Sequence, residues 1–420
     1  MALAVVRHVL PNGLTIVAAR NRLIPAVSIA IGVRAGASAD PPGAAGTAAL
    51  TARVLDKGTT PYDADAIADK LEGRGASLSV GVGRQQVVVS ATCLVGDLDA
   101  VLPVARAVVR QPTFPEAEVA TRRRELVTGI QEAADDPGAV AVDALNAALY
   151  PDGHPLGRPV RGTQAAVDAL TGGDLAAYHL RYFVPGATIV VAVGDTDAEA
   201  LANRIGREFA DWSGLSTAIP AAAVPPARPG RTLIVRTMPD KSQADVAYGA
   251  VGLARLDEDY YAALVMNNAL GQYGLGGRLG DSIRERQGMA YYVYSSMDAG
   301  LDAGPLMVRA GVSAANVERT IASIDDELTA VLTAGFSTAE VDDAKRYLIG
   351  SLPRQLETNA GIAGFLLSAE IYGLGTDHDV RLPLRVAEVT HDDVARVARR
   401  LLDPVRAVVV VAGPWTGPAA

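Results

Sequence analysis

The sequence predicts an α+β protein built from two homologous domains, each a mostly antiparallel sheet with helices packed on one face. Three observations carry this expectation. The two halves of the 420-residue chain share motifs in the same order. A proline-rich stretch divides them. Within each half, runs with period-two alternation are grouped with long connections between them, and runs with helical spacing follow.

The shared motifs are specific. FPEAEVATRRRELVTGI starts at Phe114 and FSTAEVDDAKRYLIGSL at Phe336. Each gives Phe, two variable residues, Ala-Glu-Val and then a helical run with basic residues at matching places. Thr113 and Ser337 stand near these starts as candidate helix caps. A second match pairs EGRGASLSV, from Glu72, with ERQGMAYYV, from Glu285. The dividing stretch, STAIPAAAVPPARPGR at 216–231, holds four prolines and few large apolar residues. Proline lacks an amide donor and fixes its own backbone, so the stretch reads as an extended linker between domains 1–215 and 232–420.

The elements follow in order. RHVLPNGLTIVAA and AVSIAIGVRAG read as paired strands, the first folding back at Pro11-Asn12-Gly13. ADAIADKLEGRG reads as a helix ending at glycine. ASLSVGVGRQQVVVSATCLV alternates as two strands. DLDAVLPVARAVVR and EVATRRRELVTGIQEAA have helical spacing, DLAAYHLRYF is a short helix, and ATIVVAVGD is a buried strand.

Composition narrows the function. The net charge of -9 argues against a nucleic-acid partner, because phosphate backbones need a basic surface. Neutral or basic peptides and other proteins remain. The single cysteine, Cys93, excludes an internal disulfide framework and a multi-cysteine zinc site, and reads as a small buried hydrophobe on a strand. No run approaches the ~18 apolar residues of a membrane span. The opening residues alternate and turn, unlike a secretory signal, so a cytoplasmic location without a membrane partner is expected.

Familiar catalytic patterns are missing. A helical zinc-protease site needs two histidines one turn apart with a glutamate beside them. The five histidines, His8, His154, His179, His378 and His391, are scattered, with no two within four residues. GQYGLGGRLG, from Gly271, has the wrong glycine spacing for a dinucleotide loop and follows a helical run, DEDYYAALVMNNAL, not a strand. No Gly-x-Ser-x-Gly elbow occurs. In GGRLGDSIRERQGMAYYVYSS, Asp281 to Gln287 reads as helix, Gly288 ends it, and a tyrosine-rich strand follows. Arg284 and Tyr291 flank that turn. An arginine fork and a phenol on a rigid ring can hold a peptide carbonyl or carboxylate; from periodicity alone, a solvated arginine and a packed tyrosine are the better reading.

These motifs together resemble the pitrilysin/insulinase-like zinc peptidases (family M16). The likeness is to half-length members, such as the mitochondrial processing peptidase subunits and bacterial heterodimeric peptidases. It covers almost the whole chain. LPNGLTIV from Leu10, DKGT from Asp56, YPDGHPLGRPVRGT at 150–163, RYFVPGATIVVAVGD at 181–195 and GGRLGDSIRERQGMAYYVYS from Gly276 carry it.

The resemblance implies a lost metal site. Active members carry His-x-x-Glu-His shortly before Lys-Gly-Thr. Read back from Lys57-Gly58-Thr59, those positions fall on Ala49, Ala52 and Arg53. The family's third ligand, a later glutamate, falls near Thr128 or Gly129; Glu125 and Glu132 are out of register. No metal is expected in this chain. The family's substrate-holding arginine and tyrosine, seven residues apart, match Arg284 and Tyr291; the internal repeat puts Leu71 and Leu78 at the equivalent places. Gly274, Gly276 and Gly277 would line the same chamber. The implied role is a non-catalytic, substrate-binding subunit that shares a chamber with a zinc-bearing, HxxEH-containing partner. Substrate peptides would lie along a sheet edge. Homodimers of the isolated chain are also compatible with the resemblance. The alternatives are a scaffold homologue without peptidase duty and, more remotely, an independent hydrolase.

Overall fold

The computed structural model describes residues 3–216, 219, 221–272 and 276–418. The first half of the chain runs β1 (Val5–Val9), β2 (Thr15–Arg20), β3 (Ala26–Val33), α1 (Thr47–Val54), α2 (Ala64–Glu72), β4 (Ser77–Val82), β5 (Val87–Leu94), α3 (Leu98–Arg110), α4 (Glu116–Asp135), α5 (Pro137–Leu149), α6 (Gln164–Ala169), α7 (Gly172–Tyr182), β6 (Thr188–Gly194) and α8 (Ala198–Phe209). The second half runs β7 (Thr232–Thr237), β8 (Ala244–Val251), α9 (Tyr260–Asn267), β9 (Ala290–Met297), β10 (Pro305–Val312), α10 (Val317–Ala334), α11 (Thr338–Gln355), α12 (Asn359–Ile371), α13 (His378–Glu388), α14 (His391–Leu401) and β11 (Val408–Gly413). Between α9 and β9 lies a π-helical segment, Gly280–Arg286.

The elements form two units, each with its own sheet. Sheet 1 has the order β1-β2-β6-β3-β5-β4, and sheet 2 the order β7-β11-β8-β10-β9. In sheet 1 the β2–β6 pair is parallel and the other pairs antiparallel. In sheet 2 β7–β11 is parallel and the rest antiparallel. Stripped of β1, sheet 1 therefore has the pairing pattern of sheet 2, as the repeat requires.

Alternation decides which face of sheet 1 is packed. Ile29, Ile31 and Val33 of β3, with Val87, Val89 and Ala91 of β5, turn to one side and join Val101 and Leu102 of α3 and Ile205 of α8 in the core. Short capping devices start the helices. Asp63 accepts from Ala66 N at the head of α2, and Thr171 with Asp174 forms a capping box on α7. Ser337 and Glu340 make a similar reciprocal pair at the head of α11. Thr113 makes no such cap. In the repeat alignment its neighbour Pro115 takes the place of Ser337, and the chain reaches it through Phe114 at φ 48°.

Each unit also draws on the other half of the sequence. One unit holds Met1–Ile130, Pro159–Pro220 and Leu352–Arg381; the other holds Gln131–Arg158, Ala221–Ser351 and Leu382–Ala420. The equivalent helices α5 and α12 are thereby exchanged. Helix α12 covers the second face of sheet 1. Its Leu367 sits against Gly32, where an added Cβ would come within 2.7 Å of it. Asn359 donates to Ala26 O at 2.9 Å, and Arg7 grips Glu370 through two bonds. Helix α5 lies on sheet 2, packing Ala141, Leu145 and Leu149 on Ala247, Val408 and Val410. The proline-rich stretch forms no helix or strand over 221–229. Thr217, Ala218 and Pro220, which the linker reading included, lie outside the described residues.

Candidate functional site

Ala49, Ala52 and Arg53, the positions that the sequence resemblance assigns to a metal site, lie on α1. The buried Asp40 carboxylate starts this helix, accepting from Gly46 N and Ala48 N at 2.7 Å each. Gly46 has φ 105°, and an added Cβ would strike Val167 at 2.6 Å, so glycine is required there. Ala49 and Ala52 point into the apolar core of the first unit. Arg53 is exposed on the last turn. Two methyl groups offer no lone pair, and a guanidinium repels a cation, so these residues do not fit a zinc ion. On α4, Thr128 is exposed and an added Cβ at Gly129 would meet open space. Glu125 is bound to Arg122 at 2.7 and 2.9 Å.

The histidines have other occupations. His8 meets Glu199 at 3.1 Å. His154, His179 and His391 each bond a backbone carbonyl through Nε2. His378 stacks on Phe365. Burial holds His179 below the usual imidazole range. Among the described residues, no three His, Cys, Asp or Glu side chains gather to hold a metal ion.

Arg284 and Tyr291 both lie in the second unit. Arg284 lies on the π-helical segment, half-exposed, with Glu285 Oε1 at 3.6 Å. Gly288 ends the segment at φ 61°, donating to Arg284 O at 3.1 Å. Tyr291 follows on β9, the edge strand of sheet 2, and is 79% exposed. Across β9 and β10, Tyr292 pairs with Gly311 and Ala290 with Val312, so Tyr291 is the extra residue of a β-bulge. A bulge re-aims a side chain; here it interrupts the pairing where Tyr291 projects. Arg284 and Tyr291 thus stand on the two sides of one turn. Gly277 has φ 88° and packs tightly, an added Cβ falling 3.0 Å from Gly271 Cα. Gly276 is half-buried. Gly274 lies outside the described residues.

One polar cluster was not read from the sequence. The Tyr292 hydroxyl donates to Asp245, with both carboxylate oxygens at 2.7 Å. Arg309 reaches Asp245 Oδ1 at 2.9 Å and the Tyr294 hydroxyl at 3.2 Å. The Tyr292 ring lies across Gly311, where an added Cβ would come within 2.6 Å of it. Burial, then the bond to Asp245, pushes the Tyr292 phenol well above its usual range. Burial alone would lower Arg309, but Asp245 and Tyr292 outweigh it and hold the guanidinium firmly charged. The available signal was weak: a charged residue at an alternating place in each of two apolar strands, ADVAYGAV and PLMVRAGV.

Known proteins share this architecture. Residues 15–164 match the family model "Insulinase (Peptidase family M16)" and residues 169–348 match "Peptidase M16 inactive domain". An uncharacterized zinc protease of Streptomyces coelicolor is 30% identical over 94% of this chain and 87% of its own length. A probable mitochondrial-processing peptidase subunit beta of Schizosaccharomyces pombe is 25% identical over 94% of this chain and 88% of its own. A crystal structure of a peptidase M16 inactive domain from Pseudomonas fluorescens superposes with a TM-score of 0.91 and 28% identity, covering 100% of both chains.

Proposed function

This chain belongs to the M16 (insulinase) peptidase family, and we propose that it is a non-catalytic, substrate-binding subunit of a heterodimeric zinc peptidase. One observation carries the reading. The α1 positions for metal ligands are two buried alanines and an arginine, while Arg284 and a bulge-projected Tyr291 remain around the Gly288 turn. In this role the chain's own residues bind and orient. Arg284 holds a substrate carbonyl or carboxylate with its donors, and Tyr291 adds a hydroxyl from a rigid ring. Strand β4 ends sheet 1 and offers its outer backbone groups to an extended peptide. Bond cleavage belongs to an HxxEH-bearing partner, whose zinc would activate water.

The test is reconstitution. Peptidase activity and zinc content are measured on this chain, on the partner and on their mixture. Activity confined to the mixture, with zinc only in the partner, is the expected result. Arg284→Ala and Tyr291→Phe should weaken the assembled enzyme without preventing assembly. Normal turnover by that assembled double variant would refute the assigned roles. A verified complex inactive on varied peptides would favour the scaffold reading instead. Among the described residues no helix is long and apolar enough to cross a membrane.

A further inference from the structure

Tyr291 and Tyr292 are the same side chain at successive places, and sheet 2 treats them differently. Tyr292 pairs with Gly311 of β10, and Gly311 pairs with Asp245 of β8. The three residues stand in one row across the sheet, and cross-strand partners share a face. Gly311 carries only hydrogen there, so the Tyr292 ring lies over it and the hydroxyl reaches Asp245 at 2.7 Å. Arg309 Nη2 donates to the same hydroxyl at 3.3 Å. The row is a slot for a phenol, with a glycine floor and an acceptor and a donor at its far end. A phenylalanine would cover the floor and answer neither polar group.

The register leaves room for either tyrosine in that slot. The pairs Val312–Ala290 and Ala310–Val293 hold β9 on both sides of the bulge. Between them Gly311 faces two residues, one of which pairs with it while the other is the extra residue. Moving the bulge by one residue keeps both flanking pairs, and keeps Ala290 and Val293 in the core they share with Ala310 and Val312. It would lay Tyr291 over Gly311 against Asp245 and turn Tyr292 out.

We propose that Tyr292 is a positioning residue: by occupying the Gly311–Asp245 slot it keeps Tyr291 out of the slot and open to substrate. The proposal rests on the reading of Tyr291 as a substrate-holding residue. Two forces select the observed arrangement, the ring on its glycine floor and the hydroxyl between Asp245 and Arg309. Removing the Tyr292 hydroxyl leaves Tyr291 as the one phenol beside the slot. Tyr291 then directs its own hydroxyl to Asp245, and the chain binds peptide as though Tyr291 were phenylalanine.

The experiment uses the full chain with two readouts. Fluorotyrosine placed at Tyr291 alone is read by fluorine NMR, and fluorescein-labelled casein, an unfolded polypeptide, is titrated by anisotropy. In the wild type the fluorine resonance should show the solvent isotope shift of an exposed ring, as the 79% exposure of Tyr291 requires. Tyr292→Phe should move the resonance and reduce that shift. Tyr291→Phe and Tyr292→Phe should each weaken casein binding about three- to tenfold, the range for one hydrogen bond. The double variant should bind no more weakly than Tyr291→Phe. Gly311→Ala closes the slot, since an added Cβ stands 2.6 Å from the ring. Combined with Tyr292→Phe, it should return Tyr291 to solvent and restore affinity, which a merely structural role for Tyr292 would not do. An unmoved resonance in Tyr292→Phe, losses that multiply in the double variant, or no recovery with Gly311→Ala would overturn the positioning role and leave Tyr291 as a substrate contact. Casein binding that is absent, or indifferent to Tyr291→Phe, would overturn the substrate-holding reading and the proposal with it.

Discussion

Replacing Asp245 by alanine should be among the most damaging single polar substitutions in the second unit. Asp245 and Arg309 expose only 14% and 22% of their side chains. Removing one partner of a fully buried pair costs about 3–5 kcal/mol, because the other charge is left uncompensated. Arg309 would keep the Tyr294 and Tyr292 hydroxyls, and its residual exposure admits some water. These reduce the expected loss to about 2–3 kcal/mol. The Tyr292 hydroxyl loses its acceptor at the same time. For a body the size of this unit, each kcal/mol lowers Tm by roughly 2–4 °C, giving a drop of roughly 4–12 °C by calorimetry. Tyr292→Phe alone should cost about 1.5 kcal/mol, and the double variant less than the sum, because both changes delete one shared bond. The comparison is Asp343→Ala, which removes an exposed ion pair with Arg346 and should cost at most about 0.5 kcal/mol. An Asp245→Ala loss no larger than that of Asp343→Ala would refute the reasoning.

Other outcomes follow from the same geometry. Restoring the family motif with Ala49→His, Ala52→Glu and Arg53→His should not create a stoichiometric zinc site, since Thr128 and Gly129 supply no third ligand; forcing bulk into two buried positions should also cost about 1–3 kcal/mol each. Metal analysis and thermal melts check both, and a full equivalent of tightly held zinc would contradict the site assignment. Cys93 is buried and its thiol is pushed up to about 11 by burial, so a thiol reagent at pH 8 should label it only on unfolding; rapid labelling of native protein would contradict its placement. Asp393 is held down to about 2 by bonds from Thr390 and by Arg396. A depressed carboxylate stabilises the fold above its unfolded pKa near 3.8 and loses that contribution as pH falls toward 2. The Tm gap between wild type and Asp393→Asn should therefore narrow from pH 5 to pH 2, and a constant gap would remove the charge from the argument.

The fold was legible where local pattern and topology agree. The Pro11-Asn12-Gly13 turn, the helix after Asp63 and the strands on either side of Gly83 follow from alternation and caps. The repeat was legible because equal topology places Phe114 and Phe336, or Glu72 and Glu285, in equivalent surroundings. At Ala49, Ala52 and Arg53 the residue types alone carry the reading, because alanine and arginine exclude metal coordination in any conformation. The exchange of α5 and α12 could not be read: both are apolar helices, and composition does not say which sheet a helix covers. The bulge at Tyr291 was hidden for a similar reason. A single extra residue in AYYVYSS leaves the alternation on either side intact, and only the pairing of Gly311 with Tyr292 exposes it. The sheet-face network escaped because Asp245 and Arg309 are far apart in sequence and each looks like an isolated polar intrusion.

The exchanged helices set a timetable for the chain's birth. Sheet 1 has all its strands once residue 194 has been made, yet the helix that shields its second face begins at Asn359. A ribosome adding about 5–20 residues per second leaves that face uncovered for roughly 10–30 s. The conformation that emerges first is therefore an unfinished one, with Val17, Ala30 and Val191 open to water or to a holding chaperone until α12 arrives. Cutting the gene at the proline-rich stretch would make that wait permanent. Neither fragment would carry the helix that closes its own sheet, so the two pieces should recover solubility only when produced together.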